Sequence, residues 1–129
     1  MENKEIVVKA MNELFHEKNS AAIDRYWHES YIQHNPSMIS GHQGLKDLLT
    51  VLDPEFKWTP GIIVQEEDIV ITHSVVNGWG PVPVIVVDIF RIEDGKIAEH
   101  WDVVQEEIAA FKSANGNSMN SFNMIKNGK

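Results

Sequence analysis

Cysteine is absent from the 129 residues, which excludes a disulfide framework, a thiolate metal centre and a cysteine nucleophile. No apolar run approaches the roughly 20 residues that a membrane-crossing helix requires. Positive charge is in deficit: 11 Lys and Arg face 19 Asp and Glu, a formal charge of -8. Nucleic acid is thereby disfavoured as a partner, because its binding rests on clustered cations that neutralise phosphates. No glycine-rich phosphate loop occurs, Ser74 has no nucleophile-elbow context, and the six histidines show no His-x-His or His-Glu-x-x-His spacing. Neither a metal nor a cofactor is expected. The opening Glu2-Asn3-Lys4-Glu5 sits inside an amphipathic pattern unlike a signal peptide, so a cytoplasmic location is the default expectation.

What is present is an ordinary globular composition, 43% hydrophobic and 23% charged, in a chain long enough to bury one core. A single domain is expected over 1–114. The polar tail 115–129 has few large apolar residues, among them Phe122, Met124 and Ile125, and is expected to be mobile or docked on a partner subunit.

Residues 2–18 place Ile6, Val7, Ala10, Met11, Leu14 and Phe15 at helical spacing. A second, shorter helix runs through Ala22, Ile23, Tyr26 and Trp27, with His34-Asn35-Pro36 forming a turn at its end. A third covers about His42 to Leu52. From Phe56 onward the period becomes that of strands: a first strand bent at Pro60-Gly61 on a sheet edge, a second over Ile69 to Asn77, and a hairpin from Val84 to Glu106. Three helices followed by four antiparallel strands make an α+β domain, whose twisted sheet curls over the helices and leaves a pocket.

The hairpin carries groups that a buried strand avoids. Asp88 lies within Val84-Ile85-Val86-Val87-Asp88-Ile89-Phe90, and His100 and Asp102 lie in the second arm. Burying a carboxylate costs several kcal/mol unless it is paired or protonated. By strand alternation Val84, Val86, Asp88, Phe90 and Ile92 share one face, and Ala98, His100, Asp102 and Val104 share another. If Glu93-Asp94-Gly95 is a three-residue loop, Asp88 opposes His100; if Asp94-Gly95 is a two-residue turn, Asp88 opposes Trp101. We favour the three-residue loop, which groups Asp88, His100 and Asp102. His73 shares its parity with Ile71 and Val75 and is placed in the same cavity. His34 or Asn35 closes the pocket mouth, and Trp58, Trp79, Phe90 and Val104 line it, with Trp27 in the core. The plainer alternative is a buried polar network that only satisfies itself.

Three segments together resemble the SnoaL-like polyketide cyclases of the nuclear transport factor 2-like superfamily, which also holds ketosteroid isomerase. They are Tyr31-Ile32-Gln33-His34-Asn35-Pro36 with Gly41, Val87-Asp88-Ile89-Phe90-Arg91-Ile92, and Gly95-Lys96-Ile97-Ala98-Glu99-His100-Trp101-Asp102. The resemblance covers about residues 3–110. It implies a cone-shaped, mostly antiparallel sheet around a deep pocket, and a homodimer formed through the outer sheet face. It also implies an intramolecular aldol condensation, without cofactor or metal, in which a pocket carboxylate acts as general acid and base. The carboxylate on the last strands looks like Asp102, with Asp88, His100 and His73 beside it. Where isomerase relatives place a general-base Asp before a Pro, this chain has Asn35; near their tyrosine it has Met11, Leu14 and Phe15. Arg91 has the wrong parity to complete with Asp88 the Asp-Arg-Asp set of epoxide hydrolases of this fold. The resulting expectation is proton transfer beside a carbonyl on a small apolar substrate, of cyclase or isomerase type. Its alternative is a non-catalytic binding or dimeric interaction module of the same fold.

Overall fold

The computed structural model describes residues 1–124. Helix α1 (Asn3–Met11) continues as a π-helical turn (Asn12–His16) and is followed by α2 (Ala21–Tyr26), β1 (Trp27–Gln33) and α3 (Gly41–Val51). Four strands complete the domain: β2 (Lys57–Glu66), β3 (Ile69–Asn77), β4 (Val84–Glu93) and β5 (Lys96–Glu106). They form one curved, open sheet in the order β1-β5-β4-β3-β2, in which β1 runs parallel to β5 and all other neighbours are antiparallel.

The α+β class therefore stands, and the strand count is corrected from four to five. Trp27, read as the end of a helix, starts β1. Helix α2 stops at Tyr26, and from Trp27 the backbone is extended. The segment is mixed in polarity because only Trp27 and Tyr31 are buried while Glu29, Ser30 and Ile32 face solvent. Pro36 follows shortly, and the residue before a proline is driven away from the helical region.

The core lies between the helices and one face of the sheet. Val7, Ala10, Leu14, Ala22 and Ile23 from the helices meet Trp27, Val70, Phe90 and Ile97 from the strands, all at 2% exposure or less. Strand β2 is the bent edge strand anticipated, its register slipping between Pro60 and Ile63. That slip leaves the Ile62 backbone N–H free to donate to Ser121 Oγ at 3.0 Å. A Cβ on Gly61 would lie 2.2 Å from the same oxygen, so glycine is required for the close approach. The part of the tail described here thus docks on its own sheet. Ile125 falls outside the described residues.

His16 holds β2 to the first helix. Its Nε2 accepts the Trp58 backbone N–H at 3.0 Å, so the ring proton resides on Nδ1 and donates to Asn12 Oδ1 at 2.9 Å. That arrangement needs a neutral ring. Partial burial, with Lys57 and Lys18 nearby, lowers the His16 pKa from its ordinary 6.5. The unfolded chain then binds the proton more readily than the folded one, so the His16 contribution is complete above pH 6.5 and declines as pH falls below it. Urea denaturation across this range should show a steeper acid-side loss for the wild type than for His16→Gln. Parallel pH profiles would refute the assignment.

No helix among the described residues is long and apolar enough to cross a membrane.

Candidate functional site

Two local irregularities set the hairpin register. Asp94 and Gly95 both adopt positive φ, 53° and 74°, and Glu93 pairs with Lys96, so the turn has two residues rather than three. A bulge then follows: Ile92 pairs with Ile97 but Arg91 pairs with Glu99, leaving Ala98 as the extra residue. The bulge restores the alternation that the shorter turn would have broken. Asp88 lies opposite Asp102, and His100 lies opposite Phe90. The expected pairing of Asp88 with His100 is corrected, yet all three polar residues still share the inner face.

There they form a connected network. His100 Nε2 lies 2.7 Å from Asp88 Oδ1, and both residues are buried, at 8% and 6% exposure. His100 Nδ1 lies 2.7 Å from Gln33 Oε1, an oxygen that also accepts the Asn35 backbone N–H. Nδ1 must therefore carry a proton. Either Nε2–H donates to the Asp88 carboxylate, or a protonated Asp88 donates to Nε2. In both cases one shared proton sits in that bond. Gln33 Nε2 donates to the Tyr31 hydroxyl oxygen at 2.9 Å, which leaves the Tyr31 proton available. Burial, reinforced by the Asp88 charge, pushes the Tyr31 pKa well above 10.0, so this hydroxyl stays a donor. The Asn35 amide donates to both Asp102 oxygens, at 3.0 and 2.9 Å.

The network ends a cavity of about 70 Å³, bounded by Asp88, His100, Asp102, Tyr31 and Gln33 on its polar side. Met11, Phe15, Leu45, Trp58, Trp79 and Phe90 supply apolar wall. Val104 and Trp27 also line it, Trp27 in addition to its place in the core. Trp79 reaches the wall from the Gly78–Pro83 loop, resting edge-on against Phe56 at 6.1 Å.

Two expected members lie elsewhere. His73 pairs with Val87, while the inward Asp88 pairs with Thr72. Alternation therefore sends His73 to the outer face, where Nδ1 meets Ser121 Oγ at 2.7 Å. His34 follows the inward Gln33 by one residue and also points outward. Its ring stacks on Trp101 at 4.7 Å, and its Nε2 bonds Glu99 at 2.7 Å. Asn35 anchors Asp102 instead of closing the mouth. On that outer surface the His34 hydrogen bond, and next the Arg91 one, hold the Glu99 carboxyl below its ordinary range.

Tyr31 and Gln33 are the functional candidates that the helical reading of this region misses. The usable signal was two polar side chains at strand spacing, Tyr31 and Gln33, just ahead of Asn35-Pro36.

A cation site is geometrically available in the fold although no sequence spacing announces one. Asp88, His100 and Asp102 can each present a ligand atom within 4.8 Å of the others, as can the more exposed His28, Glu93 and Asp94. A metal at the first set would have to replace the His100–Asp88 hydrogen bond.

A family model described as SnoaL-like domain matches residues 8–100. No curated protein matches the chain by sequence. Among solved structures, TsrD from Streptomyces laurentii is similar at 22% identity and TM-score 0.65, covering 80% of this chain and 88% of that one. IdmH from Streptomyces antibioticus, provisionally described as a polyketide cyclase, matches at 18% identity and TM-score 0.66, with 81% and 93% covered. An NTF2-like protein of unknown function from Cytophaga hutchinsonii matches at 17% identity and TM-score 0.70, with 81% and 91% covered. At these identities the likeness is one of fold.

Proposed function

The chain belongs to the SnoaL-like domain family, and from that premise we propose a general acid/base catalyst that moves a proton beside a carbonyl on a small apolar substrate, as an aldol-type cyclase or isomerase would. The observation that carries this reading is the convergence of two carboxylates, a histidine and a tyrosine hydroxyl at one end of an otherwise apolar cavity. Cyclase chemistry is also the provisional description of IdmH.

In this reading Asp102 is the base. It is less buried than Asp88, and Asn35 fixes its orientation without supplying a proton acceptor. Tyr31 donates to the oxygen that becomes an enolate, and the proton held between Asp88 and His100 offsets the growing negative charge. Preplaced donors in a water-poor site stabilise such charge at little reorganisation cost. Neither metal nor cofactor takes part, and the working form is a homodimer through the outer sheet face.

The test is exchange of the α-protons of α-tetralone in D2O, followed by NMR. Wild type should accelerate it above buffer. Tyr31→Phe should slow it about tenfold, the worth of one lost hydrogen bond of roughly 1.4 kcal/mol, with the circular dichroism spectrum kept. A wild-type rate equal to buffer would defeat the catalytic reading.

One observation favours a binding module instead: the Asn35 amide contacts both oxygens of Asp102. Saturable α-tetralone binding without exchange would decide for it.

A further inference from the structure

Alternation gives the outer sheet face rows of side chains that run across the strands. Val64, Ile71, Ile89 and Trp101 pair in one row, His73, Val87 and Val103 in the next, and Val75, Ile85 and Gln105 in a third. The first two rows are open: their members are half-buried or exposed, up to 67% at Val103. In the third, Val75 and Ile85 are buried, at 7% and 6%. The helices pack on the opposite face, so the cover is the chain beyond β5. Its Glu107 N–H donates to Pro83 O beside the start of β4, and its Ser121 Oγ reaches Ile62 on β2 and His73 on β3. Residues 107–121 therefore cross the sheet as a strap over the third row.

The strap is internally held. Ile108 N–H donates to Met119 Sδ at 3.2 Å, and Ser113 Oγ accepts the Gly116 N–H at 2.9 Å. It carries Phe111, which at 84% exposure is the most exposed large hydrophobic residue among those described. In a chain of formal charge -8, residues 108–124 contain Lys112 and no acid. Glu66, Ile69, Arg91 and Glu99, by contrast, form the row that borders the open apolar ones. The two open rows span only roughly 300 Å² at strand spacings of about 4.8 Å. A stable interface buries about 800 Å² on each partner. The rows alone are too small, and the strap beside them is a ridge that prevents two copies from stacking flat.

We infer that the strap supplies the other half of a self-association surface: in a two-fold dimer the Phe111 ridge of each copy packs on the open rows of the other, around Ile89 and Val103. A two-fold interface repeats every contact twice, and a ridge next to an open apolar strip is complementary to itself under that symmetry. Lys112 then faces the acids that border the rows. This rests on the outer-face dimer proposed above and assigns the residues that make it.

Sedimentation over a concentration series tests this with two variants, Phe111→Glu on the strap and Val103→Glu on the open rows, each checked for folding by circular dichroism. Each should weaken dimerisation at least about 30-fold, the effect of losing one central interface anchor. Mixed in equal amounts, the two variants should associate more tightly than either alone. In the mixed dimer both substitutions fall in one ridge-on-row contact, and the other is intact. A mixture no tighter than its components, or a Phe111→Glu variant that dimerises like wild type while Val103→Glu does not, overturns the inference and leaves the outer-face dimer standing. A wild type that stays monomeric at millimolar concentration, or a dimer that neither variant weakens, overturns both. The wild type gives a measurement that depends on no variant. In a dimer of labelled and unlabelled chains, intermolecular NOEs should join the Phe111 ring to the Ile89 or Val103 methyl groups, and their absence overturns the inference.

Discussion

Asp102→Asn is expected to reduce α-proton exchange of α-tetralone by a factor of about 100 to 10,000, the usual contribution of a positioned general base. The substitution is nearly isosteric, and the amide oxygen of the new side chain can still accept from Asn35 Nδ2. Folding should therefore be retained, with a urea midpoint close to wild type. An amide has no basic site at neutral pH, so what disappears is proton abstraction rather than shape. The matched control is Asn35→Ala, which leaves the carboxylate in place but releases it from its two contacts at 3.0 and 2.9 Å. Its effect should be smaller and concentrated in kcat, because a rotating carboxylate spends less time aligned with the reacting carbon. Full exchange activity in Asp102→Asn would remove Asp102 from the mechanism and turn attention to Asp88.

The parts of this site that were legible in the sequence are those governed by alternation within one strand. Asp88, and separately His100 and Asp102, could be assigned to shared faces from parity alone. How the two arms meet could not. The Asp94-Gly95 turn is one residue shorter than the loop we favoured, and Asp-Gly at positive φ is indeed well suited to a two-residue turn. By itself that turn would have put Asp88 and His100 on opposite faces. The bulge at Ala98 reverses the consequence. Nothing in Lys96-Ile97-Ala98-Glu99 marks a bulge, because its driving force is long-range: Ile97 is fully buried beneath the helices while His100 faces the cavity.

Strand β1 was hidden for a related reason. A parallel strand paired with β5, about seventy positions away in the chain, has no hairpin turn to announce it. Its omission removed Tyr31 and Gln33 from consideration and placed His34 inward by default. One position of alternation separates Gln33, which holds His100, from His34, which stacks outside on Trp101. His73 failed similarly. Strand β3 is buried on both faces at Val75 and Val76, so its pattern carried no signal for which side is the cavity. The helices and the apolar wall were more readable, since a 3.6-residue period and large side chains do not depend on register.

A second large effect is expected in stability rather than activity. Asp88 and His100 are both nearly buried and 2.7 Å apart. His100→Leu should destabilise the fold by about 3–5 kcal/mol at neutral pH, because it leaves the Asp88 carboxylate in an apolar wall without its partner. The double variant Asp88→Leu/His100→Leu should recover most of that loss, since two apolar side chains in the same space avoid the desolvation cost altogether. Urea denaturation of the wild type, the single variant and the double variant measures both. If the double variant is as unstable as the single one, the pair is a structural keystone, and its presence needs no catalytic explanation. If the double variant is as stable as the wild type but exchanges no α-protons, the chain retains a costly buried pair that its fold can do without. The shared proton would then be what the pair contributes.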